Sequence, residues 1–193
     1  MIKLKEKKES KLESIISLLE DKLASNKKVI LLLIGGSGSG KGYIRDKIVS
    51  NINHKALILD PDNEKIRGYK LGDNKALLPE RHNFYASITE QKIEALFDNK
   101  VDNNNNNFVI IDKTGKTTSK IVNLVNKAVD NNYDVITVFV NVHIKVMLQR
   151  IEARYKLTGR NVPFEVAFQA RRGSFKTFLT LRKLGFTVIK YNN

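Results

Sequence analysis

Eight residues, Gly35-Gly36-Ser37-Gly38-Ser39-Gly40-Lys41-Gly42, follow the phosphate-loop spacing G-x-x-x-x-G-K. Glycines at this spacing let a backbone turn its N–H groups inward around an anion, and the lysine reaches the β- and γ-phosphates as a point charge. A helix beginning at Lys41 adds the partial positive charge of its N-terminus. Gly36, Ser37, Gly38, Ser39, Gly40, Lys41 and Gly42 are therefore expected to hold a nucleoside triphosphate. A flexible linker is the other use of such glycines, but this segment lies between an apolar run and a helical stretch, where a linker has no purpose. The pattern departs at its last place. Gly42 stands where Ser or Thr ordinarily gives Mg²⁺ a hydroxyl.

Further groups fit phosphoryl chemistry. Asp60 and Asp62 follow a short apolar run. A carboxylate there orients or deprotonates an acceptor hydroxyl in line with the γ-phosphate, and Asp62 is the first choice. Asp-Pro-Asp is equally a turn and a helix cap. Asp112 ends Phe108-Val109-Ile110-Ile111, the Walker B arrangement. Asp112, and with it Asp60, is expected to reach Mg²⁺ through water, since that ion keeps several waters. Arg150, Arg154 and Arg160 are placed to neutralise charge on a transferred phosphoryl group, or to form a solvated basic face. Arg160, in a loop beside Gly159, suits a mobile lid. His54, His82 and His143 have no metal-ligand spacing and receive no role.

The elements that position these groups alternate strand with helix. Val29–Ile34 is apolar throughout and reads as a strand buried on both faces. A helix is expected over 41–51, a strand over 56–59, and a helix over 80–99 with Ile88, Ile93, Leu96 and Phe97 inward. Strands over 108–111, 135–140 and 187–191 follow, with helices over 116–131, 142–156 and 164–184. Asn103 to Asn107 reads as a solvent loop. Alternation of this kind gives an α/β three-layer sandwich, a mainly parallel five-stranded sheet with helices on both faces. Ligands of such sheets sit beyond the strand carboxyl ends, where the glycine loop, Asp60, Asp62 and Asp112 all fall. Residues 1–28 form a charged amphipathic helix with Leu12, Ile15, Ile16, Leu19 and Leu23 on one side. Residues 29–193 form the domain, with 142–184 as its basic lid and helical segment.

Composition narrows the setting. The chain has 193 residues, a formal net charge of +14 and no cysteine, which rules out disulfides and thiolate metal sites. No apolar run is long enough to span a membrane, and the lysine-rich start lacks the features of a signal peptide. A cytoplasmic location in a bacterial or phage-infected cell is expected. Lysine outnumbers arginine 25 to 9 beside 20 asparagines, which suits an AT-rich coding sequence. Residues 150–190, however, carry ten basic residues against Glu152 and Glu165. That clustering points to a phosphate-bearing substrate, including nucleic acid. Arg171, Arg172, Lys176, Arg182 and Lys183 are surface charge or a docking face.

The glycine loop, Ile58-Leu59-Asp60-Pro61-Asp62, Val109-Ile110-Ile111-Asp112-Lys113-Thr114-Gly115-Lys116, Gly159-Arg160-Asn161-Val162-Pro163 and Val188-Ile189-Lys190-Tyr191-Asn192 occur in the order seen in zeta-toxin-like P-loop kinases. The chain resembles that family, including related small kinases of bacteriophages. The resemblance implies a P-loop kinase-like fold, ATP or GTP with Mg²⁺, and Asp62 as the catalytic carboxylate. It also implies phosphate contacts from Arg160 and from Arg154 or Arg150. Toxin members phosphorylate a UDP-linked amino sugar. The departures are Gly42, which bears on Mg²⁺, and Asp112 in place of Glu, which bears on the substrate. Two functions are therefore expected to compete: a phosphotransferase acting on a hydroxyl of a nucleotide-sugar, nucleotide or polynucleotide, and a catalytically weak, nucleotide-dependent binding protein for nucleic acid or protein.

Overall fold

A computed structural model describes residues 2–76, 78–98, 107–159 and 162–193. Arg160, Asn161 and most of the asparagine tract lie outside the described residues. The elements run α1 (Ile2–Ala24), β1 (Lys28–Ile34), α2 (Lys41–Asn51), β2 (Leu57–Leu59), α3 (Pro61–Lys70), a 3₁₀ turn (Pro79–Arg81), α4 (His82–Phe97), β3 (Phe108–Lys113), α5 (Thr118–Asp130), β4 (Tyr133–Asn141), α6 (Ile144–Thr158), α7 (Phe164–Lys183) and β5 (Val188–Asn192).

The five strands are ordered β2-β3-β1-β4-β5 and every pairing is parallel. β1 is central, which explains its unbroken apolar sequence: Val29 to Ile34 are all buried. Successive side chains point to opposite faces. Ile30, Leu32 and Ile34 meet Ile93, Leu96 and Phe97 of α4, Ile121 and Val125 of α5, and Phe178 and Leu181 of α7. Val29, Leu31 and Leu33 meet Ile15, Leu19 and Leu23 of α1 with Ile44 and Ile48 of α2. The result is three layers. Lys22 of α1 also pairs with Asp134 of β4 at 2.6 Å.

Two expectations change. Residues 61–70 form a helix, α3, that the apolar pattern does not announce. Asp60 caps it by accepting the Asp62 N–H at 3.0 Å, and Pro61 occupies its first position. In α4, Ile88 is half-buried, and Tyr85 and Thr89 hold the inward positions beside Ile93, Leu96 and Phe97.

Candidate active site

β1 ends at Ile34 and α2 begins at Lys41, so the glycine loop spans the gap at the carboxyl edge of the sheet. Gly38 and Gly40 take φ of +75° and +92°, a region that costs an L side chain about 1–2 kcal/mol. Within the loop, Gly35 N–H bonds to Thr114 O at 3.2 Å and Ser39 N–H to Gly36 O at 3.1 Å. The other loop N–H groups have no partner among the described residues. They lie at the mouth of α2, where the helix dipole favours an anion. Ser39 Oγ is buried and also lacks a partner among these residues. Free N–H donors, an orphaned hydroxyl and a lysine fit the phosphates of a nucleotide.

The loop is braced from outside. Arg150 of α6 donates to Ser39 O at 3.1 Å and Gly38 O at 3.4 Å, and Asn193 Nδ2 donates to Ser39 O at 2.9 Å. Arg150 thus meets the loop at its carbonyls. A Cβ on Gly36 would stand 3.2 Å from the backbone nitrogen of Arg171, so α7 backs the loop closely. Neither Asn193 nor that close approach was foreseen from sequence.

Lys41 turns inward. Its Nζ donates to Gly35 O at 2.7 Å and lies 3.5 Å from Asp112 Oδ1, with both side chains 12% exposed. Register places Asp112 opposite Leu33 of β1, directly beside the loop. Burial pushes the Asp112 carboxyl up to about 6. Lys41 and Arg45 act against that shift, and Asp60 reinforces it. Asp60 has Oδ1 on the Asp62 N–H and Oδ2 on Arg45 Nη1. Asp62 opens α3, its side chain 48% exposed, with Oδ1 4.0 Å from His82 Nδ1. Nothing in the spacing of His82 along the sequence announces this approach to Asp62. Arg154 lies partly buried on α6. Arg160 is outside the described residues.

Mg²⁺ finds less. Gly42 offers no hydroxyl, both Asp60 oxygens are engaged, and Asp112 faces a lysine. Among the described residues no group of three or more His, Asp or Glu side chains is arranged to hold a metal ion. These donors do not fit an ion held by the protein.

A five-stranded parallel sheet in this order, with a glycine loop after its central strand, is the fold of P-loop kinases. The zeta toxin family model matches residues 16–192, and the chain belongs to the zeta toxin family. A chain of the PezAT chromosomal toxin–antitoxin system of Streptococcus pneumoniae superposes with a TM-score of 0.57 at 17% identity, over 95% of this chain and 76% of that one. AvrRxo1-ORF1:-ORF2 with ATP superposes with a TM-score of 0.62 at 14% identity, over 92% of this chain. The chain spans 57% of the length of that relative. No curated protein matches by sequence. These comparisons lend no support to a bacteriophage origin. No helix among the described residues is long and apolar enough to cross a membrane.

Proposed function

We propose that this protein is an ATP- or GTP-dependent phosphotransferase acting on a hydroxyl. The observation that carries the reading is the position of Lys41, whose ammonium lies between Gly35 O and Asp112 at the rim of a loop lined with free N–H groups. Lys41 and those N–H groups hold the phosphates. Asp62, half-exposed at the start of α3, takes the proton of the acceptor hydroxyl. The acceptor oxygen forms its bond to the γ-phosphorus as the bond to the β-phosphate oxygen breaks, and the nucleoside diphosphate leaves. Arg154 of α6 and Arg160 neutralise charge on the phosphoryl group in flight. Among relatives, the AvrRxo1 complex holds ATP, which supports the choice of donor.

Zeta toxins phosphorylate UDP-sugars, and that is one acceptor class. The α7 surface favours a polynucleotide. Phe164 and Phe168 stack with ring centroids 5.7 Å apart, and the Arg172 guanidinium lies 5.9 Å from the Phe168 ring centroid. An exposed Phe164 ring on a half-buried Phe168, with a cation alongside, suits a stacked base and a phosphate backbone. The test is transfer of labelled γ-phosphate from ATP and GTP to UDP-amino sugars, nucleotides and oligonucleotide ends. Asp62→Ala should lose at least about 100-fold of the transfer rate. Unchanged transfer in that variant removes the assigned chemistry.

Gly42 favours a second reading, a nucleotide-dependent binding protein with little turnover. On that reading Gly42→Ser raises turnover sharply. If it does not, the missing hydroxyl is not what limits the reaction.

A further inference from the structure

Arg45 lies outside the groups assigned to phosphoryl transfer. It stands one turn beyond Lys41 on α2, with its side chain 14% exposed. Its Nε donates to Asp46 Oδ1 at 2.9 Å and its Nη1 to Asp60 Oδ2. Its third nitrogen, Nη2, has no hydrogen-bond partner among the described residues. Among the described residues, and apart from the backbone of α2 itself, a Cβ placed on Gly42 would meet one heavy atom within 4 Å, Arg45 Nη2 at 3.9 Å.

The guanidinium therefore faces the space that a side chain at position 42 would enter. In phosphate-loop proteins that side chain is the hydroxyl that helps hold Mg²⁺ against the phosphates. Here the hydroxyl is missing and a cation borders its place. The coincidence is chemically coherent. A guanidinium keeps its charge at every working pH and offers donors in a fixed plane that matches phosphate oxygens. Two of its three nitrogens are already tied to carboxylates, so it needs no reorganisation when an anion arrives. Burial works against its charge, but Asp46, Asp60 and Asp112 outweigh burial and hold its pKa above the ordinary value. A divalent cation at the same place would have to sit directly against Arg45 Nη2, the one guanidinium nitrogen not tied to a carboxylate.

We propose that Arg45 stands in for the divalent metal, supplying the positive charge beside position 42 so that the loop binds nucleoside triphosphate without Mg²⁺. The inference rests on the phosphate-loop reading and concerns how that site meets its ligand's charge. A purely structural Arg45, tying α2 to the cap of α3, would change stability when replaced and leave binding alone.

The test is calorimetric titration of the full chain with ATP at constant ionic strength, once with Mg²⁺ and once with EDTA. It uses the wild type, Arg45→Gln and Arg45→Lys, with thermal unfolding run on each. Wild-type affinity should differ by less than about threefold between the two conditions. Arg45→Gln should bind at least about tenfold more weakly in EDTA and regain part of the loss with Mg²⁺. Arg45→Lys, which keeps a charge without the planar fork, should fall between them. The wild-type comparison requires no variant and decides the matter even where Arg45→Gln fails to fold. Wild-type binding that tightens tenfold or more with Mg²⁺, or Arg45→Gln binding as the wild type does in EDTA, overturns the proposal. Absence of binding in both conditions instead removes the phosphate-loop reading beneath it.

Discussion

Lys41 Nζ lies 3.5 Å from Asp112 Oδ1, and the pair joins the start of α2 to strand β3 across the glycine loop. Lys41 does not restore Asp112 to an ordinary carboxyl. Burial outweighs it and holds the group up at about 6. The folded state thus binds this proton more tightly than the unfolded state does. The sign follows: stability falls as pH rises from about 4 through 6, because the unfolded chain releases the proton first. Two units at 1.36 kcal/mol each make the cost about 3 kcal/mol, fully present above pH 6 and absent below 4. Asp112→Asn should therefore be more stable than the wild type near pH 7.5, with the gap closing by pH 4. Denaturant unfolding of both proteins across that range checks it. A gap that stays constant or widens on acidification contradicts it.

Gly42 and Gly38 should answer oppositely to alanine. Gly42 lies in the first turn of α2, and among the described residues, the backbone of α2 aside, Arg45 Nη2 alone stands within 4 Å of an added Cβ. Gly42→Ala should stabilise the protein by about 0.5–1 kcal/mol, since alanine loses less entropy in a helix. The melting temperature should rise by about 1–4 °C.

At Gly38, φ is +75° and an added Cβ would stand 2.7 Å from the Met147 carbonyl oxygen. Both features are backbone constraints, which no side-chain rotation relieves. Gly38→Ala should cost about 2 kcal/mol or more in denaturant unfolding and weaken ATP binding as the loop deforms. A variant as stable as the wild type and equal in affinity would show that the loop does not need this conformation.

The α7 face should bind single-stranded oligonucleotides with a strong dependence on salt. Each phosphate neutralised contributes a slope of about −0.7 in log affinity against log salt. Replacing Arg172 and Lys176 together by alanine should lower that slope by about 1.4 in fluorescence anisotropy titrations. Phe168→Ala should weaken binding and leave the slope unchanged, because stacking carries no counterion release. An unaltered slope in the double variant places the basic contacts elsewhere.

Much of this fold was legible because its core is built on the sheet. Val29–Ile34 and Phe108–Ile111 are apolar since both faces of β1 and β3 are covered, which leaves these side chains no solvent to face. The glycine loop was legible because its backbone geometry demands glycine. α3 was not. Its buried residues are Glu64 and Lys65, and Glu64 pairs with Lys92 of α4 at 2.6 Å, so it carries no apolar stripe. Arg45 was equally hidden. Its spacing of four from Lys41 puts both on one side of α2, but only the meeting of β2, α3 and α2 brings it to Asp60. His82 is brought to Asp62 by the turn before α4, a contact across twenty residues that no local pattern encodes.

The central claim is that the glycine loop and Lys41 bind the phosphates of a nucleoside triphosphate. The direct measurement is ATP affinity by calorimetry for the wild type and Lys41→Ala, with thermal unfolding of both. Saturable wild-type binding that weakens at least about tenfold in a folded Lys41→Ala protein is the expected result. Equal affinity in the two proteins, or no binding by the wild type, contradicts it.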